Sequence, residues 1–177
     1  MKTLIALAAL LAAPAAFAQN APAPTDNAAM IVYDKALAPG WQNWSWAKTE
    51  VSTETGARKP LLMDAQGYGG VFLHHEPFST APYRSLEMLI QVVGEPAQVR
   101  IMVTVGGKPI QDGDKVEYGH PVAKMKLVKL APGGWTKVVI PLGAIGAENV
   151  TIDGVQVMND SGQQAPHIYI ADIAFRP

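Results

Sequence analysis

Three indole side chains fall within the run Gly40-Trp41-Gln42-Asn43-Trp44-Ser45-Trp46, with amide side chains between them. An indole face is a surface on which the C–H face of a sugar ring stacks, and Gln, Asn and Asp offer planar hydrogen-bond partners to hydroxyls. On a strand Trp44 and Trp46 share a face, whereas Trp41, at an odd offset, points elsewhere or sits in the preceding turn. Packing between sheets is the commoner role for any one tryptophan of a sandwich, but it is not expected of all three. Together with Tyr68, His74 and Tyr118, residues Trp41, Trp44 and Trp46 form the candidate ligand-binding set.

The remaining chemistry-bearing residues form no motif. His74 and His75 are adjacent, so a strand turns them to opposite faces, and His74-His75-Glu76 makes a poor zinc site. There is no cysteine and no Gly-x-Ser-x-Gly elbow, and no catalytic residue is assigned. A glycosidase pair would have to come from Glu50, Asp64, Glu76, Glu87 or Glu117, whose separations the sequence does not show. A polysaccharide lyase would draw on Tyr118, His120, His75 and Arg84. Asp112-Gly113-Asp114 lacks the acidic residues of an EF-hand loop and reads as a turn. Asp34, just after the first strand, and Asp172, inside the apolar last strand, stand out, because a carboxylate in mid-strand is costly unless paired, metal-bound or solvated. These two are the candidate ligands if a structural calcium is bound; no other cofactor is expected.

Strands and turns must position these residues, since no stretch sustains a helical period over three turns. The expected strands are 30–34, 44–50, 60–63, 70–74, 85–93, 98–105, 122–130, 136–142, 151–157 and 168–175, separated by Gly, Pro and Asp clusters. Val99, Ile101, Val103 and Val105 alternate with Arg100, Met102 and Thr104, and Val138, Ile140 and Leu142 alternate with Lys137, Val139 and Pro141. Such half-buried strands predict a two-sheet antiparallel β-sandwich or jelly roll, with a closed barrel as the alternative.

Residues 1–18 read as a cleavable signal peptide, with Lys2, an apolar run Leu4–Ala13 too short to span a bilayer, and small residues at Ala16 and Ala18. Residues 19–29, rich in Ala, Pro and Asn, read as a flexible leader, and 30–177 as a single domain. Export to the periplasm or beyond is therefore expected, as a soluble protein and not an integral membrane one. A formal net charge of −1 with scattered basic residues excludes nucleic acid as a partner. With no disulfide available, stability must come from an apolar core.

The chain resembles the galactose-binding-like jelly rolls found among secreted bacterial carbohydrate-binding modules. The resemblance spans nearly the whole mature chain. It rests on Val32-Tyr33-Asp34 through Trp46, Gly69–His74, Tyr83–Glu87, Gly134-Trp135 through Leu142, and the closing Ile168-Tyr169-Ile170-Ala171-Asp172-Ile173. Modules of this kind often carry an Asp-Asp pair where this chain has Ala171-Asp172, a departure at the would-be calcium site. Trp135 is assigned to the core. The resemblance implies a non-catalytic domain that binds a poly- or oligosaccharide by Trp and Tyr stacking. A small jelly-roll lyase or glycanase, and an envelope factor that meets a secreted or envelope protein, are the alternatives.

Overall fold

Alternation of apolar and polar side chains sets the architecture. In Ser85–Val93 and Thr136–Pro141 the inward positions are buried and the outward ones are not, as a sheet with one covered face requires. The computed structural model describes residues 28–177, so the expected signal peptide and residues 19–27 of the leader lie outside it. In chain order the strands are β1 (Met30–Asp34), β2 (Ala36–Leu37), β3 (Gln42–Asn43), β4 (Lys48–Glu50), β5 (Leu61–Asp64), β6 (Gly70–Ser79), β7 (Ser85–Val93) and β8 (Ala97–Val105). They continue as β9 (Lys108–Pro109), β10 (Gln111–Glu117), β11 (His120–Ala123), β12 (Lys126–Leu130), β13 (Thr136–Pro141), β14 (Thr151–Asn159) and β15 (His167–Arg176). A short 3-10 helix, Leu142–Ile145, follows β13.

Two antiparallel sheets face one another, as expected. One runs β13-β7-β15-β1-β2, with β5 and then β4 continuing beside β15; the other runs β12-β8-β14-β6-β3, with β9 beside β8. Between them lie Val32, Tyr33, Leu73, Ile90, Ile101, Val157, Ile170 and Phe175, all essentially solvent-free. The hairpin β10–β11 stands apart from both sheets. Among the described residues no helix is long and apolar enough to cross a membrane.

Three local expectations change. The stretch 44–50 is not one strand: β3 pairs with β6 in one sheet, β4 pairs with β5 in the other, and Trp44–Ala47 carries the chain between them. The stretch 122–130 divides because β11 leaves the sheet to pair with β10, while β12 pairs with β8. Asp112-Gly113-Asp114 lies within β10; Gly113 takes φ +60° where the register against β11 slips, so a bulge uses the residues that read as a turn. Trp135 is also corrected. It is partly exposed, with the Arg58 guanidinium 5.8 Å from its ring centroid, because the alternation that turns Val138 and Ile140 inward turns odd positions outward.

Candidate functional site

The outer face of the six-stranded sheet is built from the positions that alternate with the core. Register places His74, Gly154 and Thr104 in one row across β6, β14 and β8, then Phe72, Gln156 and Met102, then Gly70, Met158 and Arg100. The linker after β3 extends these rows: the N–H of Trp44 donates to the Phe72 carbonyl at 2.8 Å and that of Trp46 to the Gly70 carbonyl at 3.1 Å. Trp44 and Trp46 thus sit two residues apart along the same edge, as the spacing predicts, with relative exposures of 51% and 49%.

Each indole is held in place by its neighbours. Trp44 stacks on His74 with centroids 3.7 Å apart and planes 4° from parallel, meets Phe72 edge-on, and donates its Nε1–H to Gln42 Oε1 at 2.8 Å. One face of the indole is thereby covered and the other left open. The stack leaves His74 Nδ1 buried without a hydrogen-bond partner. Trp46 donates its Nε1–H to the Tyr68 carbonyl at 2.8 Å, and its ring lies against Gly70, where an added Cβ would come within 2.7 Å of it. Glycine at this position is what lets the indole lie down on the sheet.

Trp46, Tyr68, Met102, Gln156 and Met158 line a groove of about 690 Å³. Its wall is the hairpin, through Glu117, Tyr118 and His120. Glu117 pairs with His120, so Tyr118-Gly119 is a two-residue turn, and both residues take positive φ (+49° and +80°) as a type I′ turn demands. A tyrosine there accepts backbone strain and stands 93% exposed at the tip. Arg100 on the floor donates from Nε to Asp160 Oδ1 at 2.7 Å, so its charge is neutralised, and it lies 5.8 Å from the Tyr68 ring centroid. Gln156 is only 6% exposed as a residue, but its side-chain amide keeps access to the groove and makes no hydrogen bond among the described residues. Its oxygen and amide hydrogens are free to meet hydroxyl groups in the groove. Gln156, Arg100 and Met158 escape sequence reasoning because single polar residues in apolar strands carry no motif; the alternation of β14 and β8 was the available signal.

Of the candidate ligand set, Trp44, Trp46, Tyr68, His74 and Tyr118 share this side of the molecule. Trp41 does not. It is 6% exposed within the core, its ring 5.0 Å from His75 and 5.8 Å from Phe78, and it offers no face to a ligand. His74 and His75 do face opposite ways, one onto Trp44 and the other onto Trp41. With His75 so placed, the lyase residues are not brought together, although Tyr118 and His120 are. Asp34 and Asp172 line a separate cleft of about 550 Å³. There Asp172, at φ +51° in a bulge of β15, is ion-paired with Arg58. Among the described residues no three His, Cys, Asp or Glu side chains come together to hold a metal. The donor set does not fit calcium, since a guanidinium already neutralises Asp172.

No protein-family model matches the sequence, and no curated protein matches it. Solved structures do match. A mutant of the family 29 carbohydrate-binding module CBM29-2 complexed with mannohexaose has a TM-score of 0.56 at 15% identity, covering 84% of this chain and 91% of that one. A second mutant, complexed with cellulohexaose, has a TM-score of 0.55 at 16% identity over 84% of this chain and 89% of that one. A further family 29 module gives 0.55 at 15% identity, with coverages of 84% and 87%. At such identities the likeness is one of fold, and the fold is the jelly-roll sandwich of carbohydrate-binding modules.

Proposed function

We propose that this chain is an exported, non-catalytic carbohydrate-binding module that holds a polysaccharide along the outer face of its six-stranded sheet. The observation that carries the reading is the pair of half-exposed indoles on one edge, Trp44 and Trp46, beside the Gln156 amide, which lines the groove and has no intramolecular partner. Trp44, Trp46 and Tyr68 supply ring faces for sugar C–H surfaces, and Gln156 and Arg100 supply hydrogen bonds to hydroxyls. Mannohexaose and cellulohexaose, the ligands of the fold's relatives, are the first to titrate. Export rests on the signal peptide of residues 1–18 and confines the ligand to envelope or extracellular glycans.

Affinity electrophoresis in gels containing mannan or soluble cellulose derivatives tests the reading. The wild-type chain should be retarded, and Trp44→Ala and Trp46→Ala should each weaken binding roughly tenfold, the scale of one aromatic stack worth about 1–3 kcal/mol. No retardation by any glycan, or full retention by both variants, would sink it. Release of unsaturated or reducing sugar during the same incubations would instead favour the lyase or glycanase.

A further inference from the structure

Beyond Arg100 the groove does not close. It opens into a second cavity of about 460 Å³ that shares Arg100, Glu117 and the β11 wall with the first and is lined further by Lys124, Ala144 and Asp160, the last of them the ion-pair partner of Arg100. The two halves differ in chemistry. The first has Trp46, Tyr68 and Tyr118; the second has no aromatic ring along its lining. A sugar there is held by its hydroxyl edge and not by its face. Asp112 is paired with Lys115 and Asp160 with Arg100, and Glu117 balances Lys124, so the lining has no positive excess to draw in a uronate, sulfate or phosphate.

We propose that this second cavity is a subsite for one further neutral pyranose unit, gripped through its hydroxyls and lying off the line of stacked rings. The proposal rests on the groove being a glycan site. From Trp46 at the edge, across β6 and β14 to Arg100 on β8, is three strand spacings, about 14 Å, or about three pyranose rings laid across the sheet. The cavity begins where that span ends. Its occupant is either the next unit of the backbone or a single-sugar branch carried by a backbone unit above Arg100; the hydroxyl chemistry is the same.

Calorimetric titration of the full chain separates these sources. The probes are linear manno-oligosaccharides up to mannohexaose and matched manno-oligosaccharides with one galactosyl side chain. Ala144→Trp fills the cavity from an exposed position of the 3-10 helix, and Lys124→Met removes a donor while keeping the apolar stem. Each variant should bind the occupying probe about five- to tenfold more weakly, the scale of one or two net hydrogen bonds, while short linear probes bind as to the wild type. Loss confined to the longer linear probes identifies a backbone unit; loss confined to the branched probes identifies a side chain. Unchanged affinities across both series in both variants overturn the subsite and leave the groove standing. If no probe binds the wild type, the subsite falls, and the groove itself is decided by the wider range of glycans in the gels.

Discussion

Replacing Gln156 with Leu removes an amide that no neighbouring side chain engages, so the fold should lose nothing. Stability to urea should change by about 0.5 kcal/mol or less, because an amide that faces the groove and has no intramolecular partner gives way to an apolar group of similar size. Glycan affinity should fall about tenfold by titration; unchanged affinity would remove the amide from the site. Trp41 and Trp44 behave in the opposite senses. Trp41→Ala should cost about 3–5 kcal/mol in denaturant unfolding, as core aromatic deletions do, whereas Trp44→Ala should unfold near the wild-type midpoint while losing ligand. Gly154 shows how tight the floor is. A Cβ there would lie 2.8 Å from Thr104 Oγ1 and closer still to the Phe72 ring, so Gly154→Ala should destabilise by about 1–3 kcal/mol.

The hairpin β10–β11 is held by its turn and by an ion pair within β10, where the Lys115 ammonium donates to Asp112 at 2.6 Å and draws that carboxyl below its usual range. At its tip, Tyr118 occupies a backbone region that asparagine tolerates better. Tyr118→Asn should therefore stabilise the chain by about 0.5–1 kcal/mol while weakening glycan binding. Equal binding by the two proteins would mean that the tip is only a turn. The loop after β4 is an analogous device on the other sheet. Tyr33 Oη accepts from the Ser52 N–H at 2.9 Å and donates to the Lys59 carbonyl at 2.8 Å, and Arg58 reaches from this loop to Asp172 and Trp135. Because a guanidinium serves as the counter-ion there, EDTA and added calcium should leave the thermal midpoint unchanged. Arg58→Met should lower stability by at most about 1 kcal/mol, the scale of a partly exposed pair. A midpoint that rises with calcium would contradict the assignment.

Across the whole chain a formal net charge of −1 and a neutralised Arg100 mean that long-range attraction contributes little to capture of a ligand. Affinity for a neutral glycan should change less than about twofold between low and high salt, since stacking and hydrogen bonds at contact distance are not screened. A steep salt dependence would point to an anionic ligand and against the groove's assigned chemistry. The packing of the two sheets also predicts the emission behaviour of the four tryptophans. A collisional quencher should reach Trp44 and Trp46, reach Trp135 in part, and leave Trp41 shielded.

How much of this was readable in advance depends on the range of the interaction. Alternation along β8 and β13 is a local property of the chain, and it was enough to point to two half-buried antiparallel sheets and to most of the inward residues of those strands, Val105 being the exception at the exposed end of β8. The spacing of Trp44 and Trp46 likewise settled that they share an edge, since a period of two survives even where the strand itself breaks. What the sequence left open was which tryptophan the core would take, because 41, 44 and 46 are chemically identical and only the pairing of β3 with β6 separates them. Beyond the alternation of β14, it gave no sign of what Gln156 does, whose meaning comes from Phe72 and Met102 lying on either side of it across three strands. It could not tell that Asp172 would meet Arg58, 114 positions away. Such pairings are set by register and by the closing of one sheet over the other, and they exist only once the backbone has brought distant segments to hydrogen-bonding distance.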